Sequence, residues 1–455
     1  GGEMSPGPGP HVEADRSANA FLEEARQQLR GQRELWQQKM DLLVSLGHIG
    51  SPNCASCPGV SRTSGTGTGA WAHRTEDFRE ALRRWPDLRR RFKVAPRSDE
   101  DALLLQVGPS TEEGGTSSSS SLPLQFSDIT AGPADLVHPD STGSCVSLPI
   151  DPTVAFRGIV IEECQVVPSK HAPLLFSCLT SSTSSSSIDA GLSKEKYLLK
   201  SGDDLRQDQL MLQMMALMGC VWQERLSPAD VKLLQLAKFR VLAVTPHSGY
   251  VKFVPDAVAL TDALHQSQGN LVTWLDRNRP PEVSLEKVLD TLCGSVAASC
   301  VVTYILGIGD RHLENLCITR RGQFFHIDFS FVLGDDPKPC APQVRLPQQV
   351  AQALLATDRL NLCFGLAARA YLALRPFAGL WGSILQLTAA AGGAGCTKLA
   401  REPLAAVAGV RERLRVEQQD EELAASEFLC LVRESSEGLA SILMDKVHAA
   451  GLFWR

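Results

Sequence analysis

Apolar positions follow two different periods along this chain, and the change of period divides it. In residues 21–46, Leu22, Ala25, Leu29, Trp36, Met40 and Leu43 recur every three, four or seven positions, and Gly47 follows as a stop. That spacing predicts a helix packed on the rest of the chain. A second helical stretch carries Phe78, Leu82, Trp85 and Phe92 on one side, with Arg83, Arg84, Arg89, Arg90, Arg91 and Lys93 around them and Pro86 inside it. A basic amphipathic stretch can lie on anionic lipid, but a solvated face is the preferred reading. From residue 148 the alternation shortens to strand period over 156–165 and 197–200, with a serine-rich insertion at 181–187. Residues 202–218 form a helix whose Met211, Met214, Met215 and Met218 read as core filler. Strands at 239–244 and 250–254 flank a turn at 246–249. Helices then dominate, at 283–306, 347–356, 359–374, 378–391, 402–415 and 421–449.

Strands early and helices late predict an α+β protein with two lobes and a cleft between them. The expected division is 1–18 disordered, 19–106 helical segments with a linker, 107–147 a low-complexity linker, 148–259 a small mainly β lobe, and 260–455 a larger helical lobe. Residues 1–18 are Gly/Pro-rich, 48–72 Gly/Ser/Thr-rich, and 109–146 contain a serine run.

Composition narrows the classes. The 455 residues are 44% hydrophobic and carry a formal net charge of −6, which argues against a globally basic nucleic-acid binder. Thirteen cysteines, an odd and irregularly spaced set, read as reduced thiols. Cys54 and Cys57 form a lone C-x-x-C, read as thiols in a linker. The apolar run at 293–309 is shorter than the ~20 residues a spanning helix needs and reads as a buried helix. No secretory signal is visible at the start, and the absence of an initiator methionine leads us to expect preceding domains.

Candidate chemistry concentrates in GDRHLEN at 309–315 and FHIDF at 325–329. An apolar strand at 316–319 and a partner at 323–327 predict a hairpin. With Arg321 and Gly322 as a two-residue turn, Asn315 and Asp328 fall directly opposite one another. Paired positions place Cβ atoms ~5 Å apart, enough for an amide oxygen and a carboxylate to share a hard cation such as Mg²⁺. Asp310 and His312 sit upstream, where a general base meets a hydroxyl. A second cluster, 200–208, places Lys200 at a strand end before a helix bearing Asp208, as a phosphate-binding lysine fixed by a carboxylate requires. A third, weaker one is the turn at 167–173, where Ser169 and Lys170 can face phosphates. It contains no glycine and is not a Walker loop.

These segments resemble the catalytic region of the phosphatidylinositol 3-kinase family, class III (vacuolar protein-sorting type) above all. The resemblance rests on KSGDDLRQDQLMLQMM at 200–215, YILGIGDRHLENL at 304–316, FFHIDF at 324–329, LGDDPKP at 333–339, LPIDPTVAFRGI at 148–159 and LMDKVHAAGLFWR at 443–455. It implies a two-lobed, protein-kinase-like lipid kinase using ATP with Mg²⁺ or Mn²⁺. Lys200 would contact the ATP phosphates, Asp208 would fix it, and Ser169 would lie in the phosphate-binding turn. Lys252, Phe253 and Val254 would form the hinge that reads adenine. Asp310 and His312 would be the catalytic pair, with His312 the favoured base towards the inositol 3-hydroxyl. Asn315 and Asp328 would bind the metal. Residues 329–346 would be the activation loop, with Lys338 and Arg345 meeting the lipid headgroup, and the closing helix would touch the membrane.

The implied product is phosphatidylinositol 3-phosphate, made at endosomal or autophagic membranes by a cytoplasmic, peripherally bound enzyme. A kinase-like regulatory subunit and a Beclin-type subunit are implied partners, and no nucleic acid is. The family's C2 domain and most of its helical domain have no counterpart here. Three positions depart from the pattern. Ser330 replaces the glycine of HIDFG and is expected to resist its backbone angles, displacing Asp328 or stiffening the loop. Asp335 replaces the arginine of LGRDPKP. Pro255 removes an N–H after the hinge. The alternatives are a phosphatidylinositol 4-kinase, a protein kinase of the related giant family, or a pseudokinase scaffold.

Overall fold

The computed structural model describes residues 68–84, 92–94, 102–105, 147–148, 150–167, 172–182, 193–237, 239–338 and 341–437. The helix expected at 21–46, the C-x-x-C pair, most of the low-complexity tract, Ser169 and the closing segment at 443–455 lie outside the described residues. The chain forms two compact units, Gly1–Ser201 and Gly202–Arg455.

The first unit is an antiparallel sheet with one described helix. Its strands are β1 (Phe92–Val94), β2 (Ala102–Leu105), β3 (Ser147–Leu148), β4 (Asp151–Val160), β5 (Gln165–Val166), β6 (Leu174–Ser182) and β7 (Ser193–Ser201). The order is β1-β2-β4-β6-β7, with β3 on β4 and β5 on β6. Paired on both sides, β6 is buried from Leu174 to Thr180, whereas β7 alternates and turns Tyr197 and Leu199 inward. Helix α1 (Thr68–Arg84) covers the sheet. Phe78 meets Phe176 edge-on at 5.3 Å, and Arg79 Nε donates to the Cys164 carbonyl at 2.9 Å.

The single helical stretch expected to carry both Phe78 and Phe92 does not exist. The helix stops at Arg84, and Phe92 belongs to β1. Residues 85–91 between them lie outside the described residues. Ordered sheet also begins before residue 148, because β2 pairs with β4 from Ala102↔Val160 to Leu104↔Gly158.

The second unit is mainly helical. Helices α2 (Arg206–Arg225), α3 (Pro228–Leu233), α4 (Leu260–Gln266) and α5 (Leu271–Asn278) precede α6 (Leu285–Leu306). Helices α7 (Gln348–Ala356), α8 (Leu360–Leu374), α9 (Ala378–Ala390), α10 (Thr397–Arg401), α11 (Pro403–Arg413) and α12 (Glu421–Glu437) follow it. Two small antiparallel arrays join them, the hairpin β8 (Val241–Thr245)–β9 (Ser248–Lys252) and the sheet β10 (Ala257–Ala259)–β11 (Leu316–Thr319)–β12 (Phe324–His326).

Helix α6 is the axis of this unit. Ser284 caps it by accepting from the Lys287 N–H, and its side chains from Leu292 to Leu306 are all buried. At 22 residues it matches the helix expected at 283–306 to within two residues at its start. It is long and apolar enough to cross a bilayer, yet 94% of its apolar window is buried within the protein. Tyr371 on α8 stacks on Phe428 of α12 at 4.8 Å, and Tyr304 of α6 meets Phe428 at 5.1 Å. Each such aliphatic or aromatic side chain removed from water contributes about 1.5–3 kcal/mol. The described cysteines are free thiols; Cys293, Cys300, Cys317 and Cys363 are buried.

Candidate active site

Helix α6 delivers the GDRHLEN segment by ending sharply. Gly307 caps it at φ +54°, and the Ile308 N–H returns to the Thr303 carbonyl. A Cβ on Gly307 would sit 2.5 Å from the Gly334 nitrogen, so the position requires glycine on two counts. The chain beyond is tied to the segment after HIDF. Leu333 N–H donates to the Leu306 carbonyl, Gly334 to Gly307, and Gly309 to the Phe331 carbonyl, at 2.8–2.9 Å.

Asp310 then takes a left-handed conformation, φ +49°, which an L-residue adopts only at a cost of about 1–2 kcal/mol. Its surroundings hold it there. Asp336 Oδ2 accepts the Asp310 N–H at 2.9 Å, and the other Asp336 oxygen accepts the Lys338 N–H at 2.9 Å. Lys338 Nζ donates to Asp310 Oδ1 at 2.7 Å, and Asn315 Nδ2 donates to the Asp310 carbonyl at 3.1 Å. His312 Nε2 lies 3.9 Å from Asp310 Oδ2.

The hairpin differs from the expected register by one residue. Leu316 pairs with His326 and Ile318 with Phe324, so Asn315 lies opposite Ile327, whose N–H donates to the Asn315 carbonyl at 3.0 Å. The cause is the turn. Thr319 and Gln323 close a three-residue loop whose last member, Gly322, stands at φ +85°. Asp328 therefore falls just past the ladder. It too is left-handed, at φ +60°.

Arg311 joins the two segments. Its guanidinium donates to the Gly309 carbonyl at 2.6 Å, to the Ile327 carbonyl at 2.8 Å and to the Asp328 carbonyl. Burial pushes Arg311 down to about 10, against the pull of Asp328, Asp310, Asp208 and Asp336. Four carboxylates thus act on this buried cation. His326 is buried, and desolvation followed by Arg311 and Arg345 holds it well below the ordinary histidine range, so it is neutral.

Helix α2 grips the same region. Gln207 Nε2 donates to the Phe329 carbonyl at 2.5 Å, and Asp208 Oδ1 accepts the Phe329 N–H at 3.3 Å. Arg345 is buried, and its Nε donates to the Arg311 carbonyl at 3.2 Å. Lys252 ends β9 with its N–H on the Arg240 carbonyl at 2.8 Å. Phe253 is exposed, and the Val254 carbonyl accepts from Ala257 at 3.3 Å. Lys200 sits at the end of β7, in the first unit.

Asp310, His312, Asn315, Asp328, Asp208, Lys338 and Arg345 are therefore brought to one neighbourhood of the second unit. Sequence reasoning passed over Arg311, Gln207 and Asp336, which hold that neighbourhood together. The only sequence signal for them is their place inside the motifs GDRH, RQD and DPKP.

Residues 195–395 match the family Phosphatidylinositol 3- and 4-kinase. The chain belongs to that family. The segments around Asp310 and Asp328 lie inside the matched region. Among curated proteins, the chain is 34% identical to phosphatidylinositol 3-kinase VPS34 of Candida glabrata over 70% of its own length. It is 34% identical to VPS34 of Saccharomyces cerevisiae and 32% identical to VPS34 of Arabidopsis thaliana, each over 68%. The chain spans about a third of the length of these relatives, 34–36%.

The donor chemistry of Asn315 and Asp328 would suit a hard divalent cation. Asn315 and Asp328 are hard oxygen donors, and among the described residues no group of three or more His, Cys, Asp or Glu forms a cage for a metal. That combination fits a cation shared with water and phosphates rather than one enclosed by protein.

Proposed function

We propose that this chain is an ATP-dependent lipid kinase that phosphorylates the 3-hydroxyl of phosphatidylinositol. The observation that carries the reading is Asp310, held left-handed by Asp336 and Lys338 beside His312, with Arg311 fixing the Asp328 segment to the same loop. Similarity to phosphatidylinositol 3-kinases favours the 3-kinase over the 4-kinase reading.

Phosphoryl transfer depends on positioning and charge more than on covalent chemistry. His312 Nε2 accepts the inositol hydroxyl proton as the hydroxyl oxygen bonds to the γ-phosphorus and the bond from that phosphorus to the bridging oxygen breaks, ADP leaving. Asp310 Oδ2, 3.9 Å away, stabilises the imidazolium that results. Asn315 and Asp328 would hold Mg²⁺ or Mn²⁺, which when bound would supply positive charge against the ATP phosphates. The family resemblance assigns phosphate contacts to Lys200 and Ser169, and adenine contacts to Lys252, Phe253 and Val254.

The activation segment supports unphosphorylated phosphatidylinositol as substrate. Its basic residues over 329–346 are Lys338 and Arg345, set against Asp335 and Asp336. Lys338 is paired with Asp310, and Arg345 is buried against the Arg311 carbonyl. Extra ring phosphates require extra cations. A lipid-kinase assay that compares phosphatidylinositol with its 4,5-bisphosphate tests this: greater activity on the bisphosphate refutes it.

The same reading places the protein peripherally on endosomal or autophagic membranes, with a kinase-like and a Beclin-type subunit as partners. Co-purification of those subunits with the full-length protein tests the second part. The pseudokinase alternative loses its backbone argument, because Ser330 is not among the left-handed residues.

A further inference from the structure

An α-helix leaves its last four carbonyls without donors of its own, and α6 finds one of the missing donors far along the chain. The Gly307 N–H serves Tyr304 at 3.0 Å, Ile308 serves Thr303 at 3.0 Å, and Leu333 serves Leu306 at 2.8 Å. Ile305 is served by a side chain. Arg413, the last residue of α11, donates from Nε to the Ile305 carbonyl at 2.9 Å. Its guanidinium lies in a slot bounded by Gly307, Gly334 and Gly409. A Cβ on Gly307 would stand 2.8 Å from Arg413 Cζ, and one on Gly334 or Gly409 would stand 3.3 Å from Nη1. Gly307 opens the approach to GDRH, and Gly334 opens the approach to DPKP.

The backbone that carries Arg413 is itself anchored. The Tyr371 hydroxyl donates to the Arg413 carbonyl at 2.8 Å. Arg375 donates from Nε to the Leu414 carbonyl at 3.0 Å, and from Nη2 to the Arg415 and Gln418 carbonyls at 2.9 and 2.6 Å. Packing alone gives no reason for an arginine in the slot. Arg413 Nη2 is buried with no hydrogen-bond partner, and a buried donor left unpaired opposes folding. Burial pushes the guanidinium down to about 10, with Tyr304 and Glu412 pulling the other way, so it stays charged at neutral pH. A cation there meets the negative end of the α6 dipole.

We propose that Arg413 is a positioning residue for phosphoryl transfer: it ties the end of α11 to Ile305, Gly307 and Gly334, and so sets where the loop carrying Asp310 and His312 leaves α6. The inference rests on the kinase reading of that loop. Arg413 acts through the end of α6, not on substrate.

The test compares the full chain with Arg413→Met, Arg413→Lys and Tyr371→Phe. Two quantities are read: phosphatidylinositol-kinase kinetics per folded molecule, and amide hydrogen exchange by mass spectrometry. Methionine keeps the apolar stem and removes the charge and the donors. Lysine keeps the charge and a donor for the Ile305 carbonyl. Phenylalanine at 371 removes only the hydroxyl that holds the Arg413 carbonyl. The expected result for Arg413→Met is a fall in kcat on the order of 10²-fold, an unchanged KM for ATP, and faster exchange over 305–316. Arg413→Lys is expected to restore most of both. Tyr371→Phe is expected to move both the same way by less, and it decides the matter should Arg413→Met not fold. Wild-type kcat per folded molecule with unchanged exchange over 305–316 overturns the proposal and leaves Arg413 a packing residue. An equal loss in Arg413→Lys overturns the part assigned to charge and hydrogen bond. If the wild type phosphorylates no lipid, the kinase reading and the positioning role fall together, whereas the exchange comparison still shows whether Arg413 holds the end of α6.

Discussion

Lys338 Nζ lies 2.7 Å from Asp310 Oδ1, while Asp336, two residues before Lys338, accepts the Asp310 N–H at 2.9 Å. The DPKP segment thus holds the catalytic-loop aspartate from both its backbone and its side chain. This gives Lys338 a role beyond that of a headgroup cation. Lys338→Ala frees the Asp310 carboxylate to turn away from His312. The expected outcome is a fall in kcat on the order of 10²-fold, the scale of a small misplacement at a reacting centre, with nucleotide affinity unchanged. Steady-state lipid-kinase kinetics and nucleotide titration check the two halves.

Asp336→Ala removes the acceptor of two N–H groups at once. Leaving such donors unsatisfied costs about 1–3 kcal/mol, and Asp310 loses what holds its left-handed backbone. Lower stability in urea unfolding together with lost activity is expected. Full activity with wild-type stability would contradict the clamp.

Gly322 separates backbone strain from steric clash when set beside Gly269. Both are left-handed, at φ +85° and +86°, but a Cβ on Gly322 would stand 2.1 Å from the Val288 carbonyl oxygen, and one on Gly269 meets nothing within 4 Å. Gly269→Ala is expected to cost about 1–2 kcal/mol. Gly322→Ala is expected to cost more, because the hairpin must move off α6, and to lower activity as well. Paired denaturant titrations measure the difference.

His326 gives the second unit a pH dependence. Its folded pKa lies well below the usual value because burial, then Arg311 and Arg345, oppose its charged form. Below about pH 6.5 the unfolded chain takes up a proton that the folded protein refuses. Stability is therefore complete above that pH and falls as pH drops, by up to about 1.4 kcal/mol per pH unit. His326→Phe preserves a ring against Phe324 and removes this proton. Unfolding free energies at pH 7.5 and 5.5 should converge in the variant relative to wild type.

Much of the fold was legible in the sequence because its cues are local. Ser284 starts α6, Gly307 stops it, and the predicted helices at 347–356, 359–374 and 378–391 match α7, α8 and α9 to within a residue or two at each end. The second unit's residues Asp208, Asp310, His312, Asn315, Asp328, Lys338 and Arg345 were legible as a group but not as an arrangement. A hairpin register depends on whether its turn has two or three residues, and Gly322 in the left-handed region decided for three. One residue of slip moved Asp328 away from Asn315. Asp336 and Arg311 act across 26 and 16–17 residues of sequence, and no periodicity reports such contacts. At Ser330, glycine in the family pattern pointed to a special backbone angle, whereas the angle is carried by Asp328 two residues earlier.

The central claim is phosphoryl transfer to the 3-hydroxyl of phosphatidylinositol through the Asp310–His312 and Asn315–Asp328 neighbourhood. The most direct measurement is a radiolabelled-ATP assay on phosphatidylinositol vesicles with Mg²⁺ or Mn²⁺, with the lipid product resolved by ring position and Asp328→Ala run beside the wild type. The account predicts phosphatidylinositol 3-phosphate from the wild type and none from Asp328→Ala. A 4-phosphate product, or no product from folded protein that binds ATP, would contradict it.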